Sequence, residues 1–484
     1  MKRIIIFLLT LPILISCKKA LKEDPRGQVA GASALSTIDG LKAALSGTYR
    51  PMQSNFAMGY TFSSVSAVCM GSDDLTTHPA SNKAGFRQFD QFNVDGTNGS
   101  MYAIWSGAYK AIQSANNIIA NYSSTQGDAA TIKQIAGEAY FIRAFNYYWL
   151  VRLWGSIPIL TTANYSSSTL SVKPSAPVDV YSLIESDLNT AKNMMANRPL
   201  EPGRASKGGA LALLADVYMT EGGWPINNNA KYALAAQTAK EVIDNKSVYG
   251  FDLEPNLQTL WTNLSTGTPT AEEVFTLHAC GSCDWSHANS TFGNSAMPSD
   301  EGGWDDFFSE LTFFNKFPAG VRKNLTFHTT FHLPDGTTRA WQNGSTKHPY
   351  YAKFRLPNDE LTWQTSATTP LLRYAQVLLI YAESQARSES SVNSQAYASI
   401  NAIRKRAGLP DLSGLSSTDF IAATIAERSW EFAGEYCRWF DIVRLQMLPQ
   451  VIAERDPAEI PIIGPPKYTF PIPTTEVQLN PNLH

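Results

Sequence analysis

Between Met101 and Trp154 the chain carries two long apolar stripes at helical spacing, separated by only a short polar turn. Trp105, Ala108, Tyr109, Ile112, Ala115, Asn116 and Ile119 share one face of the first, which runs to Tyr122. Residues 123–128 form the turn, and Ile132, Ile135, Ala139, Ile142, Phe145 and Trp149 line the second, which stops at Gly155 and Pro158. Two antiparallel helices joined by so short a loop make an αα-hairpin. The pattern recurs. Ala210, Leu214, Val217 and Tyr218 mark a helix ending at Gly222 and Gly223, and Tyr232, Ala235, Ala236, Ala239, Val242 and Ile243 mark its partner. Further on, Pro370 sits at a helix start followed by the stripe Leu371, Tyr374, Ala375, Leu378, Leu379 and Ala382. Asn393 caps the next helix, whose face is Ala396, Tyr397, Ile400, Ile403 and Ala407, and Gly408 and Pro410 end it.

The spacing thus predicts a mainly α chain with helical hairpins over about 101–160, 206–245 and 370–408. Alanine-rich pairs of this size resemble tetratricopeptide units, in which small residues let helices approach closely, although the Trp-x-x-Leu-Gly consensus is absent. Regular structure begins near Thr37, where Leu41, Ala44, Leu45 and Tyr49 recur at helical spacing, and residues 37–484 read as a single body. Residues 56–98 carry many Ser, Thr, Asn and Gly without a sustained period, which predicts loops and short strands. Residues 251–369 are loop-rich and aromatic, too long for a connection, and predict an elaborated insertion.

The first seventeen residues are of another kind. Lys2 and Arg3 precede an apolar run, Ile4 to Ile15, that is too short to span a bilayer. Basic head, short apolar middle and small residue before the break are the parts of a secretory signal, assigned to residues 1–16. Cys17 directly after Leu-Ile-Ser makes the segment resemble a bacterial lipobox, in which the cysteine becomes the lipidated first residue. Several acyl chains anchor far more firmly than one. Residues 17–36, polar and turn-rich, then read as a spacer holding the body off a membrane.

Composition narrows the partners. Across 484 residues the apolar fraction is 44%, with 23 Phe, 20 Tyr and 11 Trp, ample for a buried core. The formal charge of -3 becomes -5 once Lys2 and Arg3 leave with the signal, and no basic run tracks phosphates, which argues against nucleic acid. An aromatic-rich, weakly acidic, exported chain suits neutral ligands.

Three clusters could carry chemistry. Glu427, Arg428, Glu431, Glu435, Arg438, Asp441 and Arg444 recur at three- and four-residue spacings, but cations sit among the acids and no Glu-x-x-His partner is present. Helix-surface ion pairs explain that pattern better than a metal or catalytic site. Cys280, Cys283, His278 and His287 have the donor types of a zinc site, but the spacing is compressed; a local disulfide or idle thiols fit an exported chain better. Asp73-Asp74, Asp300-Glu301 and Asp305-Asp306 could supply a glycosidase pair, but adjacent acids are common in solvated loops. No Gly-x-Ser-x-Gly elbow is present. The aromatics of the irregular region are the better clue. Trp285, Trp304, Trp341 and Trp363 fall in predicted loops, where sugar C–H faces could stack on indole rings while Asn, Asp and Arg bind hydroxyls. Trp285 and Trp304 come first as ligand contacts, then Trp341, with Asp73 and Asp74 as the polar candidates.

At Arg143-Ala-Phe-Asn-Tyr-Tyr-Trp-Leu-Val-Arg-Leu-Trp-Gly155-Ser-Ile-Pro158 the sequence resembles the SusD/RagB family of Bacteroidetes outer-membrane lipoproteins. Later blocks continue the likeness in order: Ser206 to Tyr218, Leu372 to Glu383, Asn401 to Leu409, Glu427 to Arg444, Phe470-Pro-Ile-Pro473 and Asn480-Pro-Asn-Leu483. The resemblance implies four tetratricopeptide-like hairpins with a loop-rich capping region. It also implies a surface lipoprotein that captures oligosaccharide, glycan or peptide without catalysis or cofactor, and sits as a lid on a TonB-dependent (SusC-like) outer-membrane transporter. Residues 251–369 match no block, so the ligand contacts rest on residue chemistry alone. The alternatives are an exported glycoside hydrolase using loop carboxylates and a scaffold lipoprotein that binds only proteins or peptides.

Overall fold

The computed structural model of the chain describes residues 31–54, 58–164, 171–283 and 285–483. The signal segment, the lipidation expected at Cys17 and the spacer as far as Ala30 lie outside the described residues; the end of the spacer, Gly31–Ser36, is a short 3-10 helix. The fold is mainly α, a row of long helices each packed on the next. Gly99–Asn121 packs on Ala129–Trp154, that helix on Pro177–Met194, then Lys207–Glu221, Ala230–Asp244 and Tyr374–Glu389, which in turn holds Ser394–Arg406 and Ser417–Glu431. The helices expected to pair over 206–245 and 370–408 are neighbours in this row, and Ala230–Asp244 and Tyr374–Glu389, which also pack together, flank the long insertion in sequence.

Local chemistry sets the helix starts. Asn98 accepts from the backbone N–H groups of Ser100 and Met101, Asp128 from Thr131, Ser206 from Gly209, Asn393 from Ala396 and Ser416 from Asp419, each filling a donor that the first turn leaves open. Pro177, at the first position of its helix, has no N–H to satisfy. At Gly155 the chain leaves the Ala129–Trp154 helix with φ 72°, a conformation glycine adopts freely. Gly107 permits a different feature: a Cβ there would lie 2.4 Å from the backbone nitrogen of Gly59, so only a bare Cα lets these segments meet.

The Ala129–Trp154 helix departs from its one-stripe reading. Lying between two neighbours, it buries every residue from Phe141 to Val151. Its buried Arg143 donates to both carboxylate oxygens of Asp187 at 2.8 Å and to Asn116 at 2.8 Å, joining three helices through one guanidinium. Burying that charge is tolerable only because it is paired.

Two expectations are corrected in the same way, by tertiary burial outweighing local signal. Residues 369–373 are a strand, and the helix expected from Pro370 begins at Tyr374. Thr369–Arg373 pairs antiparallel with Glu273–Leu277, both strands wholly buried. Proline's missing N–H suits an edge strand as well as a helix start. Residues 56–98, expected as loops and short strands, also contain the helices Phe62–Val68 and Ala84–Asp90. The first is buried in spite of its serines because Thr61 caps Ser64, and Ser66 donates back to the Phe62 carbonyl.

The charged segment from Glu427 to Arg444 is likewise not one helix with surface pairs. The chain breaks after Glu431, turns through Gly434 at φ 76° and resumes as Arg438–Arg444. Its charges are buried and reach other elements. Arg373 meets Glu272, Glu431 and Glu435; Arg406 meets Glu272 and Glu431; Arg322 meets Glu427 and Glu431; Lys353 meets Glu435. A second group joins Arg428 and Arg444 to Asp441, and Arg444 to Glu383. Because Glu272, Arg322 and Lys353 belong to the insertion, the first lattice fastens it to the helical row. Its cations hold the Glu431 carboxyl down at about 2 in spite of burial.

Candidate ligand-binding site

The insertion leaves its strand pair through a tight turn closed by a disulfide between Cys280 and Cys283. That bond takes both sulfurs out of any zinc site. His278 pairs instead with Glu273 at 2.7 Å, and among the described residues no cluster of metal-binding side chains forms. The turn carries Trp285, 50% exposed.

Residues 362–366 are the spine that holds the neighbouring loops together. The Thr365 carbonyl accepts from the backbone N–H of Asn289 at 3.0 Å and the Thr365 hydroxyl donates to the Asn289 carbonyl at 2.8 Å. Gly281 N–H donates to the Ser366 hydroxyl, and the Asn294 amide donates to the Thr362 carbonyl, both at 3.0 Å. Trp304 N–H in turn donates to the Asn294 carbonyl at 2.9 Å. Arg50, at the end of the helix Ile38–Tyr49, which packs on Gly99–Asn121 and Ala129–Trp154, donates to the Ser286 carbonyl at 2.6 Å and ties the disulfide turn to the helical row. Trp285, Trp304 and Trp363 therefore ride on loops organised around one segment. Trp304 and Trp363 make a ring pair, centroids 4.9 Å apart at 57°, with Trp363 51% exposed and Leu361 exposed beside it. Large apolar groups held at a surface by a dense hydrogen-bond frame are a binding feature more than a packing one.

The other candidates go elsewhere. Trp341 is half-buried, edge-on to Phe314 at 5.7 Å and packed on the small cluster of Phe308, Phe331 and Tyr350. Asp73 grips Arg438 with both oxygens, at 2.6 and 2.7 Å, and lines a cavity whose walls include none of these four tryptophans. Asp74 is buried at 1% exposure; its carboxylate accepts from the Ser72 hydroxyl at 2.5 Å and the Gly434 N–H at 2.8 Å. A side chain so enclosed touches no ligand while the fold is closed, which corrects the expectation at Asp74. Trp363, noted in the sequence only for its loop position, is the ring that meets Trp304. Nothing in the spacing reveals that it meets Trp304.

The remaining loop acids are spoken for as well. Asp300 pairs with Arg339, Glu301 with Arg355 at 2.6 Å and His328 at 2.9 Å, and Asp306 with Lys83. Asp305 accepts from the Tyr350 hydroxyl at 2.5 Å and the Ser299 N–H at 2.6 Å. Asp300 and Glu301 are held below the usual carboxylate range by their hydrogen bonds and cationic partners, against the opposing effect of burial. A general acid needs the opposite, a raised carboxyl facing substrate.

Two family models match this chain. The SusD family model covers residues 304–484, and a model described as starch-binding, associating with outer membrane, covers 53–219. The chain belongs to the SusD/RagB family. A SusD-like protein, P2, of Formosa agariphila is 28% identical over 99% of this chain and 98% of its own length. Among solved structures, a SusD homolog from Bacteroides thetaiotaomicron superposes with a TM-score of 0.82 at 22% identity, covering 94% of this chain and 98% of that one. A laminarin-binding SusD-like protein superposes at 0.76 with 24% identity, covering 91% and 97%. These likenesses establish the SusD fold. The matched segments leave out residues 220–303, where Trp285 and the disulfide turn lie.

Proposed function

We propose that this SusD-family protein captures a neutral oligosaccharide on the loop surface formed by Trp304, Trp363 and Trp285. The observation that carries the reading is the Trp304–Trp363 pair, held by the 362–366 spine with Trp304 half-buried and Trp363 open to solvent. Indole faces match the apolar C–H faces of pyranose rings, and the nearby Asp300–Arg339 pair offers acceptors and donors without net charge. The laminarin-binding relative supports the ligand class. Bond cleavage has no support in the arrangement, because each loop carboxylate considered for it is engaged by a cation or by hydrogen bonds, so the role is binding and not hydrolysis. With Cys17 lipidated, the body stands at the outer-membrane surface and hands ligand to a TonB-dependent transporter as its lid.

The test is calorimetric titration of residues 18–484 with laminari-, cello- and malto-oligosaccharides, with chromatography of each mixture afterwards. Binding with intact ligand, weakened in Trp304→Ala and Trp363→Ala, is the expected result. Release of shorter sugars would overturn the non-enzymatic assignment. Absence of any binding, with a transporter still captured, would favour the scaffold alternative.

A further inference from the structure

Asp73 and Arg438 lie at the base of a cavity of about 540 Å³ between the helices Ser417–Glu431, Leu448–Glu454 and Leu311–Lys316. Trp430, Phe313 and Met447 supply its apolar walls. Its size falls within the usual range for small-molecule sites. An apolar cavity can stay empty, but a polar one calls for a guest that can hydrogen-bond. This one has a polar floor. Arg438 is only 7% exposed and gives its Nε and Nη2 to Asp73, so the guanidinium fixes the carboxylate in place from behind. Asp73, the less buried of the two, retains acceptor capacity toward the cavity.

The charge balance selects the guest. Asp73 and Arg438 cancel, and at the rim Lys316 and Glu454 cancel at 3.1 Å. Glu310, which also lines the cavity, is matched by Arg455 at 2.6 Å and so adds no unbalanced charge. Anions and cations both lack a countercharge here. A ring with an apolar face and several hydroxyls has both complements, Trp430 for the face and the Asp73 carboxylate, held by Arg438, to accept from the hydroxyls.

We propose that this cavity is a second, independent pocket that binds a single neutral hexopyranoside ring. It shares only its ligand class with the loop surface, none of whose tryptophans line it. The test uses the full chain carrying 5-fluorotryptophan, fluorine NMR, and two probes, methyl β-D-glucopyranoside and laminaritriose. The Trp430 resonance is identified by its loss in Trp430→Phe. The expected result is a saturable shift of that resonance with at least one probe, retained in the Trp304→Ala/Trp363→Ala double variant. Ala426→Phe, which fills the cavity, should abolish the shift while the Trp304 resonance still responds. Ala422→Phe, on the exposed turn of the same helix, serves if the first variant fails to fold. A Trp430 resonance unmoved by both probes to their solubility limits would overturn the pocket, as would a shift that disappears in the double variant. Response at Trp304 without response at Trp430 would sink this inference alone and leave the loop surface standing.

Discussion

Replacing Glu435 by Gln tests whether the buried lattice holds the insertion onto the helical row. Glu435 is 3% exposed and stands 2.6 Å from Lys353 Nζ, 2.8 Å from Arg373 Nε and 3.1 Å from Arg373 Nη2. Arg373 keeps Glu272 and Glu431 after the substitution. Lys353 loses the one carboxylate partner assigned to it, and its side chain is fully buried, with the Trp261 ring 4.5 Å and the Phe354 ring 5.8 Å away to soften the charge. Removing one partner of a buried pair costs roughly 3–5 kcal/mol. Lys353 has an escape, because burial already lowers its pKa and it can shed its proton. From an unfolded value of about 10.4, deprotonation costs on the order of 4.6 kcal/mol at pH 7 and about 1.9 kcal/mol at pH 9, and the penalty cannot exceed that ceiling. Urea unfolding followed by tryptophan fluorescence should therefore show Glu435→Gln destabilised by about 3–4.6 kcal/mol at pH 7 and by no more than about 1.9 kcal/mol at pH 9. Lys353→Met on the same background should recover much of the loss at pH 7. A Glu435→Gln protein within about 1 kcal/mol of the parent at pH 7, or a penalty equal at both pH values, would refute the reasoning.

Other expectations follow from single contacts. Burial pushes the Asp74 carboxyl up to about 6, so its stability contribution is full below about pH 3.8 and lost as pH rises through about 6. Asp74→Asn keeps the Gly434 contact and should gain on the parent above pH 6, by at most on the order of 3 kcal/mol, and match it below about pH 3.8 in chemical denaturation. Trp363→Ala should raise the Kd for a bound oligosaccharide roughly two- to tenfold, the equivalent of about 0.5–1.5 kcal/mol for one aromatic contact, with the thermal midpoint almost unchanged. Gly107→Ala drives a methyl into the Gly59 backbone and should cost about 1–3 kcal/mol by the same urea assay.

Helical periodicity made the scaffold readable because most of the long helices bury a stripe and cap their first turn with a short polar side chain. It failed where burial is not one-sided. The Ala129–Trp154 helix is enclosed almost all round, so its period understates what it buries, and Thr369–Arg373 looks like the head of a helix until its partner strand, almost a hundred residues earlier, is known. The charged run from Glu427 carried a true signal, a cluster of opposite charges, with the wrong geometry attached. Spacing along one segment says which charges are present and nothing about Arg322 and Lys353 arriving from the insertion or Arg373 from the strand that follows it. For the proposed site, loop position singled out the tryptophans but not their contacts. Which indoles meet, and which acids are neutralised, depended on contacts such as Trp304 with Trp363 and Asp73 with Arg438, sixty to several hundred residues apart.

The buried ionic lattice and the open tryptophans answer the same structural problem. An insertion of more than a hundred residues with only two-stranded sheets has little regular structure to stabilise it internally. Three of its residues, Glu272, Arg322 and Lys353, instead enter the charged core formed by Arg373, Glu427, Glu431 and Glu435. Ion pairs that deep contribute little net stability over apolar packing, but they penalise any displaced arrangement severely. The insertion is thereby fixed in register at its base, and its outer loops need only their own hydrogen-bond frame to hold indole rings at the surface. A base secured by apolar contacts alone could slide, and with it the separation between Trp285 on the disulfide turn and Trp363 on the spine. Loosening the base through Glu435→Gln should therefore weaken oligosaccharide binding at pH 7 even where the chain remains folded, and Lys353→Met on that background should restore it.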